Sequence, residues 1–173
     1  MVAMAKLSPL MIAPPLIFAA LAAMFAFGMA RKDPDQLPSA LAGKAAPAVV
    51  VSQVSDLTPF GDSDLRSGEV TLVNFWASWC APCRAEHSSL TKIADSGVKI
   101  YGVNYKDQEA KAVKFLDELG NPFAGVGADE TGRMALNWGL YGVPETYVID
   151  GQGNIVFRHA GPITDRVIEA TIM

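Results

Sequence analysis

Apolar residues in the second half of the chain form two nearly continuous runs, separated by a segment of helical spacing. The runs Val70–Trp76 and Val98–Asn104 are rich in β-branched and apolar residues, which is typical of strands buried on both faces of a sheet. Between them, residues 80–94 have helical spacing that ends near Ser96 and Gly97. Strand, helix and strand in this order predict a βαβ unit with two parallel strands.

The following residues predict further helices and an antiparallel hairpin. Asp107 is a suitable N-cap for a helix that continues to Leu119, because a side-chain oxygen there can accept from free N–H groups of the first turn. The other predicted elements are an extended run at Val49–Val51, a short strand at Phe123–Val126, a helix at Asp129–Trp138, hairpin strands at Thr146–Asp150 and Asn154–Arg158, and a short helix from Thr164. Together they predict an α/β domain with a mixed central β-sheet flanked by helices on both faces.

The N-terminal segment is a long run without charge. No charged residue occurs within Leu7–Ala30, and a helix of that length is roughly 36 Å long, more than the ~30 Å hydrocarbon core of a bilayer. Three prolines lie in its first half, so we expect the uninterrupted helix to begin nearer Leu16. The segment predicts a transmembrane anchor. The alternative is a cleaved signal peptide, for which Lys6 provides a short basic start.

These patterns divide the chain into three parts and limit its functions. Residues 1–30 are the anchor, residues 31–46 are a linker interrupted by prolines and glycines, and residues 47–173 are one domain of roughly 125 residues, a common size. Half of all residues are hydrophobic, as expected when a membrane segment is joined to a soluble domain. The net charge is −4 and no basic patch is present, so we expect no nucleic-acid partner.

The two cysteines of the chain, Cys80 and Cys83, are three positions apart. Cys80 opens the predicted helix, where free N–H groups and the helix dipole lower the pKa of a thiol. Cys83 lies one turn further on, so the spacing predicts an attacking and a resolving thiol, with no cofactor or metal. Two alternatives are a structural disulfide, which would stabilise little because its loop is so short, and half of a zinc site that includes His87.

Several motifs in the domain resemble those of a known family. Trp-Cys-x-Pro-Cys at residues 79–83 is typical of the thioredoxin superfamily, whereas Asn-Tyr-Lys-Asp at 104–107 and Val-Pro-Glu at 143–145 are more specific. With residues 119–122, they make the chain resemble the DsbE/CcmG family, the membrane-anchored thiol–disulfide proteins of cytochrome c maturation. The resemblance covers nearly the whole domain and implies a thioredoxin-like fold.

The resemblance also implies roles for the residues of the site. Cys80 would be the nucleophile, Cys83 the resolving thiol, and Pro144 a cis-proline that faces the cysteine pair. A cis bond at this position would turn the backbone of Val143 outward, where it could pair with an extended substrate strand.

Two acidic residues and a tryptophan complete the expected site. Asn74 occupies a strand position at which ordinary thioredoxins have a buried acid, and an amide cannot accept that proton. We therefore expect Glu86, one helical turn beyond Cys83, to be the catalytic base, with a solvated helix face as the alternative. Glu145 is expected to line the substrate groove. Trp79 is expected to contact substrate or to shield the sulfur, with core packing as the alternative.

The function implied by this resemblance is a reductive thiol–disulfide exchange. The protein would reduce the disulfide of the haem-binding cysteines of apocytochrome c, or of a maturation partner, and a membrane electron donor of the DsbD/CcdA type would reduce it again. This chemistry implies a single-pass protein of the bacterial inner membrane with its domain in the periplasm. The alternatives are a general periplasmic oxidase or reductase of the TlpA/ResA type, and a non-enzymatic module that binds apocytochrome.

Overall fold

The structure, a computed structural model, describes residues 9–29, 41–165 and 167–168. The chain divides into two units, residues 1–37 and residues 38–173, and each is described by itself. In the first, helix α1 extends over Pro9–Met29, and its segment Ile12–Met29 is long and apolar enough to cross a membrane. The helix begins earlier than we expected and includes Pro14 and Pro15.

The second unit contains six strands, three α-helices and a short 3₁₀ turn among its described residues. The strands are β1 (Ser52–Gln53), β2 (Thr71–Trp76), β3 (Lys99–Tyr105), β4 (Gly125–Asp129), β5 (Glu145–Ile149) and β6 (Ile155–Ala160); the helices are α2 (Ala81–Asp95), α3 (Glu109–Leu119) and α4 (Arg133–Asn137), and the 3₁₀ turn is Asp64–Arg66. The N–H groups of Val167 and Ile168 both donate to the carbonyl of Thr164, so a helical turn begins where the last helix was predicted.

The strands form one mixed sheet in the order β1-β4-β3-β2-β5-β6. Strands β2, β3 and β4 are parallel, whereas β1, β5 and β6 each pair antiparallel with their neighbours. Successive side chains of β2 point to opposite faces: Leu72 and Trp76 pack with α2 and α3, and Val73 and Phe75 pack with α4. This confirms the predicted mixed sheet with flanking helices.

Two boundaries differ from those predicted. We placed residues 31–46 in the linker, but the backbone of residues 43–46 bonds to the start of β6: the N–H of Gly43 donates to Ile155 O, and that of Ala46 donates to Gly153 O. The packed domain therefore begins several residues before Pro47. The helix predicted at Asp129–Trp138 is shorter, because Asp129 still belongs to β4.

Candidate active site

The cysteine pair and the segment before β5 meet at one edge of the sheet. Strand β2 ends at Trp76, and Cys80 is the N-cap of α2 four residues later. Strand β5 is antiparallel to β2, with Glu145 opposite Phe75, so the start of β5 lies where β2 ends. The peptide bond between Val143 and Pro144, immediately before β5, is cis, as the resemblance implied.

Cys80 and Cys83 are joined by a disulfide, with their Cα atoms 5.3 Å apart. The N–H of Cys83 donates to Cys80 Sγ over 3.1 Å, so the first turn of the helix provides a donor to the sulfur that opens it. Both residues are nearly buried, Cys80 at 4% exposure and Cys83 at 1%. Pro82 lies in the first turn of α2, where its missing N–H leaves no helical bond unmade. Cys83 is the less exposed of the two by a small margin.

Trp79 lies on the surface beside the disulfide. Its side chain is 58% exposed, which excludes core packing, and its indole Nε1–H donates to the backbone carbonyl of Lys106 over 3.2 Å. Trp76 and Trp138 are buried at 2% and 0% exposure, as predicted for core residues. A single hydrogen bond thus orients an otherwise exposed ring next to Cys80.

Asp107 connects the turn before Cys80 to the loop after β3. Its carboxylate accepts from the N–H of Ser78 at 2.6 Å and from the Ser78 hydroxyl at 2.8 Å. It also accepts from the side chain of Asn104 at 3.0 Å and from the N–H of Gln108 at 2.8 Å. Partial burial would raise the pKa of Asp107, but these hydrogen bonds outweigh it and hold the pKa below its usual value. The predicted N-cap role is wrong, because Gln108 is the N-cap of α3 and Asp107 faces the active-site turn instead.

Glu86 is buried on the inner side of α2, at 1% exposure. Its Oε1 accepts from Asn74 Nδ2 over 3.0 Å, and its Oε2 accepts from the N–H of Ile163 over 2.7 Å. The same Asn74 Nδ2 donates to Thr146 Oγ1 over 2.9 Å. The alternative of a solvated helix face is therefore wrong, since the carboxylate belongs to a polar cluster between α2, β2 and β5.

The environment of Glu86 favours proton binding near neutral pH. Burial raises the pKa of Glu86 to about 7, against the smaller lowering effects of the hydrogen bonds from Ile163 and Asn74. Glu86 follows Cys83 by three residues on one helix, which places their Cβ atoms about 5–6 Å apart. Glu86 thus lies one helical turn from the resolving thiol, and its carboxylate bonds to Asn74 and Ile163.

Glu145 is fully buried at 0% exposure. Its Oε1 pairs with Arg158 and accepts from the Tyr147 hydroxyl over 2.5 Å, while its Oε2 accepts from the N–H of Tyr141 over 3.2 Å. We expected Glu145 to line a substrate groove, but its carboxylate is not exposed to solvent. Arg158 reaches the Glu145 carboxylate because it lies opposite Tyr147 in the pairing of β5 with β6. Tyr147 and Glu145 are two residues apart on β5, so their side chains lie on the same face of the sheet.

Arg158 also supports an exposed aromatic ring. Its Cζ lies 4.1 Å from the ring centroid of Tyr141, and the Tyr141 side chain is 68% exposed. Burial would lower the pKa of Arg158, but the Glu145 carboxylate outweighs it and raises that pKa. The ion pair therefore holds both the backbone and the ring of Tyr141, three residues before Pro144.

Comparison with known proteins places this site in a family. The Redoxin family model matches residues 41–172. The chain is 50% identical over 164 residues to the thiol:disulfide interchange protein HelX of Rhodobacter capsulatus, which covers 95% of this chain and 93% of that protein. It is 43% identical to the thiol:disulfide interchange protein DsbE of Escherichia coli, over 92% of this chain and 89% of that protein. The chain belongs to the DsbE/HelX thiol:disulfide interchange proteins of the Redoxin family.

Solved structures confirm the fold of this family member. The thioredoxin domain of a thiol-disulfide oxidoreductase from Bacteroides vulgatus matches it with a TM-score of 0.64 at 23% identity, over 76% of this chain and 95% of that domain. The fold is thus thioredoxin-like. The relatives named above show that the protein is a thiol–disulfide oxidoreductase, with Cys80 and Cys83 as its redox-active pair.

The structure adds residues to the DsbE/HelX site that the sequence did not indicate. Thr146 accepts a hydrogen bond from the same Asn74 amide that donates to Glu86. Arg158 forms an ion pair with Glu145. Asp107 accepts two hydrogen bonds from Ser78 in the turn before Cys80. Asp107 had a visible signal, since it lies in the family-specific Asn-Tyr-Lys-Asp run, although its partner did not. His87, weighed above as a zinc ligand, bonds through Nε2 to the Gly120 carbonyl at 2.9 Å.

Proposed function

We propose that this protein is a reductant in cytochrome c biogenesis, which reduces the disulfide of the haem-binding cysteines of apocytochrome c or of a maturation partner. The observation that carries this proposal is the Cys80–Cys83 disulfide at the start of α2, in the cluster against which Val143 packs. Exposed Trp79 directly precedes it, and the acid Glu86 is buried one turn behind. The likeness to thiol:disulfide interchange proteins named DsbE and HelX supports the disulfide exchange on which this proposal depends.

The reaction consists of two exchanges. The Cys80 thiolate attacks one sulfur of the substrate disulfide, so that a mixed disulfide forms and the first substrate thiolate leaves and takes up a proton. Cys83 then loses its proton and attacks Cys80 Sγ, which releases the second substrate thiolate. The substrate gains two electrons and two protons, and the protein is left with the Cys80–Cys83 disulfide.

Glu86 accepts the proton of Cys83 in the second exchange. A pKa of about 7 is close to an operating pH near neutrality, and a general base is most effective when these two values are close. The carboxylate form also disfavours a second negative charge nearby, so the Cys83 thiol keeps its proton until Glu86 accepts it.

The substrate lies in extended conformation across the edge of the sheet, between Trp79 and Val143. Val143 is only partly buried and lies just before β5, so its backbone can pair with a substrate strand as the family resemblance implies. Trp79, oriented by Lys106 O, provides an apolar contact on the other side of Cys80. Glu145 acts indirectly, because it holds the backbone of Tyr141 in the same segment.

The protein works outside the cytoplasm on a membrane tether. Helix α1 is long enough to span the hydrocarbon core and carries no charge within its described residues. In an oxidising periplasm the dithiol form must be regenerated, and a membrane electron donor of the DsbD/CcdA kind would supply the two electrons.

Trapping of the mixed disulfide tests this proposal. The reduced full-length Cys83→Ser variant in detergent is mixed with a peptide that contains an oxidised Cys-x-x-Cys-His motif, and with a control peptide whose cysteine pair lacks the histidine and the flanking sequence. We expect a covalent adduct with the first peptide, formed at least tenfold faster than with the control. Equal rates would indicate a general reductase, and retained function of a Cys80→Ala variant in cytochrome maturation would indicate a non-enzymatic binding module.

A further inference from the structure

The side chain of Asn74 has one polar atom that finds no partner. Asn74 is buried at 0% exposure, and its Nδ2 serves both Glu86 Oε1 and Thr146 Oγ1. Its Oδ1 is buried and accepts no hydrogen bond in the part of the chain that the structure describes. A buried amide oxygen without a donor is costly, so this position calls for a physical reason.

The two protonation states of Glu86 make opposite demands on this amide. An ionised carboxylate only accepts hydrogen bonds, so it needs the Nδ2 donor that Asn74 presents. A protonated carboxyl group has an O–H and needs an acceptor. Rotation of the amide by 180° exchanges Nδ2 and Oδ1, so the same side chain then offers an acceptor to Glu86. The hydroxyl of Thr146 can donate as well as accept, and it loses no partner when the amide rotates.

We infer that Asn74 is a positioning residue that supports Glu86 in both protonation states, by donating to the carboxylate and, after rotation, accepting from the carboxylic acid. This inference rests on the proposed role of Glu86 as the proton acceptor of Cys83. In either orientation, one of the two amide atoms bonds to Glu86 and Thr146 and the other has no partner. This explains why Asn74 Oδ1 is buried without a hydrogen bond. An ionised aspartate in that position could not donate to an ionised Glu86, whereas the amide of asparagine donates at every pH.

The other groups around Glu86 do not provide both a donor and an acceptor for its carboxyl group. On its own helix the neighbours Arg84 and His87 are directed elsewhere, to Glu118 and to the Gly120 carbonyl. The segment after β6 contributes only the backbone N–H of Ile163, which can donate but never accept. Strand β5 contributes the Thr146 hydroxyl, which bonds to the side-chain amide of Asn74. Within the described residues, no charged side chain is among the causes of the raised pKa of Glu86.

The titration of Glu86 measures this role directly. In the full-length oxidised chain in detergent, infrared spectroscopy follows the C=O stretch of the protonated carboxyl group against pH, and Glu86→Gln identifies its band. In Asn74→Leu the carboxylate loses a charge-assisted hydrogen bond, whereas the carboxylic acid loses only a weaker neutral one. We therefore expect the midpoint to rise by about one pH unit, and the pH profile of substrate reduction to move with it. Thr146→Val is the control, since it removes the other partner of Asn74 and should move the midpoint by less than a third as much.

A purely structural role for Asn74 gives a different result. Asn74→Leu would then lower the melting temperature but leave the carboxyl midpoint and the pH profile where they are, and this outcome would overturn the inference. If Asn74→Leu does not fold, Asn74→Ala carries the same expectation. The two proposals fail separately: a pH step in the reduction rate that survives in Glu86→Gln removes the role of Glu86, whereas a step that is lost in Glu86→Gln but unmoved in the Asn74 variants removes only that of Asn74.

Discussion

Asp107 binds both polar hydrogens of Ser78, its N–H at 2.6 Å and its hydroxyl at 2.8 Å. Ser78 lies two residues before Cys80, and Lys106, which orients Trp79, directly precedes Asp107. The loop after β3 thus fixes both the backbone of the redox turn and the ring next to it. The two segments can meet because β2 and β3 are parallel with Trp76 opposite Asn104.

Replacement of Asp107 by alanine is expected to lower the free energy of unfolding of the oxidised protein by about 2 kcal/mol, the usual effect of losing hydrogen bonds to a charged group. Because the pKa of Asp107 lies below its usual value of 3.8, this contribution is present at neutral pH and is lost only as the pH falls below that value. Guanidinium denaturation at pH 7 measures the change. The exposed Asp117→Ala on α3 is the control, and an equal effect of the two variants would contradict this role.

Glu86 is expected to make stability depend on pH. Its pKa rises from 4.5 to about 7 on folding, so between these values the folded state binds a proton that the unfolded state does not. The associated stability is present below pH 4.5 and is lost as the pH rises through about 7. From pH 4.5 to 8, the stability of Glu86→Gln relative to the unmodified protein should therefore rise by about 3 kcal/mol.

Denaturation of the oxidised protein at several pH values measures this difference without interference from the thiols. The exposed Glu118→Gln should give a flat difference over the same range. A flat difference for Glu86→Gln as well would mean that Glu86 titrates at an ordinary value.

The buried pair of Arg158 and Glu145 should be far more sensitive than an exposed pair. Arg158→Ala leaves the Glu145 carboxylate buried without a partner, and we expect a loss of about 3–5 kcal/mol in the free energy of unfolding. Arg84→Ala removes an ion pair whose side chains are 47% and 44% exposed, and its electrostatic part should cost only about 0–1 kcal/mol. Thermal or chemical denaturation of both variants measures these losses. A loss below about 1 kcal/mol for Arg158→Ala would show that the Glu145 carboxylate is stabilised by its other hydrogen bonds.

Trp79 should affect substrate binding more than stability. Since its ring is 58% exposed, Trp79→Ala should lower the free energy of unfolding by less than about 1 kcal/mol. If the ring contacts substrate, kcat/KM for a Cys-x-x-Cys-His peptide should fall roughly tenfold, which corresponds to about 1.4 kcal/mol of lost apolar contact. Reduction of a small disulfide should be unchanged. Leu136→Ala, another exposed apolar residue, is the control, and equal losses on both substrates would exclude a contact with the peptide.

The sequence predicts the parts of this site that depend on local structure. A buried strand, a short turn and a helix start place Cys80 and Cys83, and neither position depends on distant residues. The periodicity of β2, α2 and β3 gives the parallel βαβ unit, and the hairpin signature gives the antiparallel pair β5 and β6. Pro144 was expected to be cis only from the resemblance, because its neighbours in sequence do not determine the isomer.

The remaining parts depend on which strands lie side by side and in which register. Asp107 meets Ser78 across 29 positions, and no local pattern indicates that contact. Glu145 was placed on a groove because it adjoins Pro144, but pairing of Tyr147 with Arg158 brings a cation to its carboxylate and buries it. That register includes an irregularity between Val148 and Ile149, which alternation along the sequence does not reveal.

The equilibrium reduction potential of the Cys80–Cys83 pair tests the central claim that the protein is a reductant. The full-length chain in detergent is equilibrated with glutathione or dithiothreitol buffers, and tryptophan fluorescence reports the fraction of disulfide, since Trp79 adjoins Cys80. We expect a value between about −270 and −180 mV, or lower, in the range of proteins that donate electrons to disulfides. A value near −120 mV, typical of a strong oxidant, would contradict the account and indicate a disulfide-forming protein.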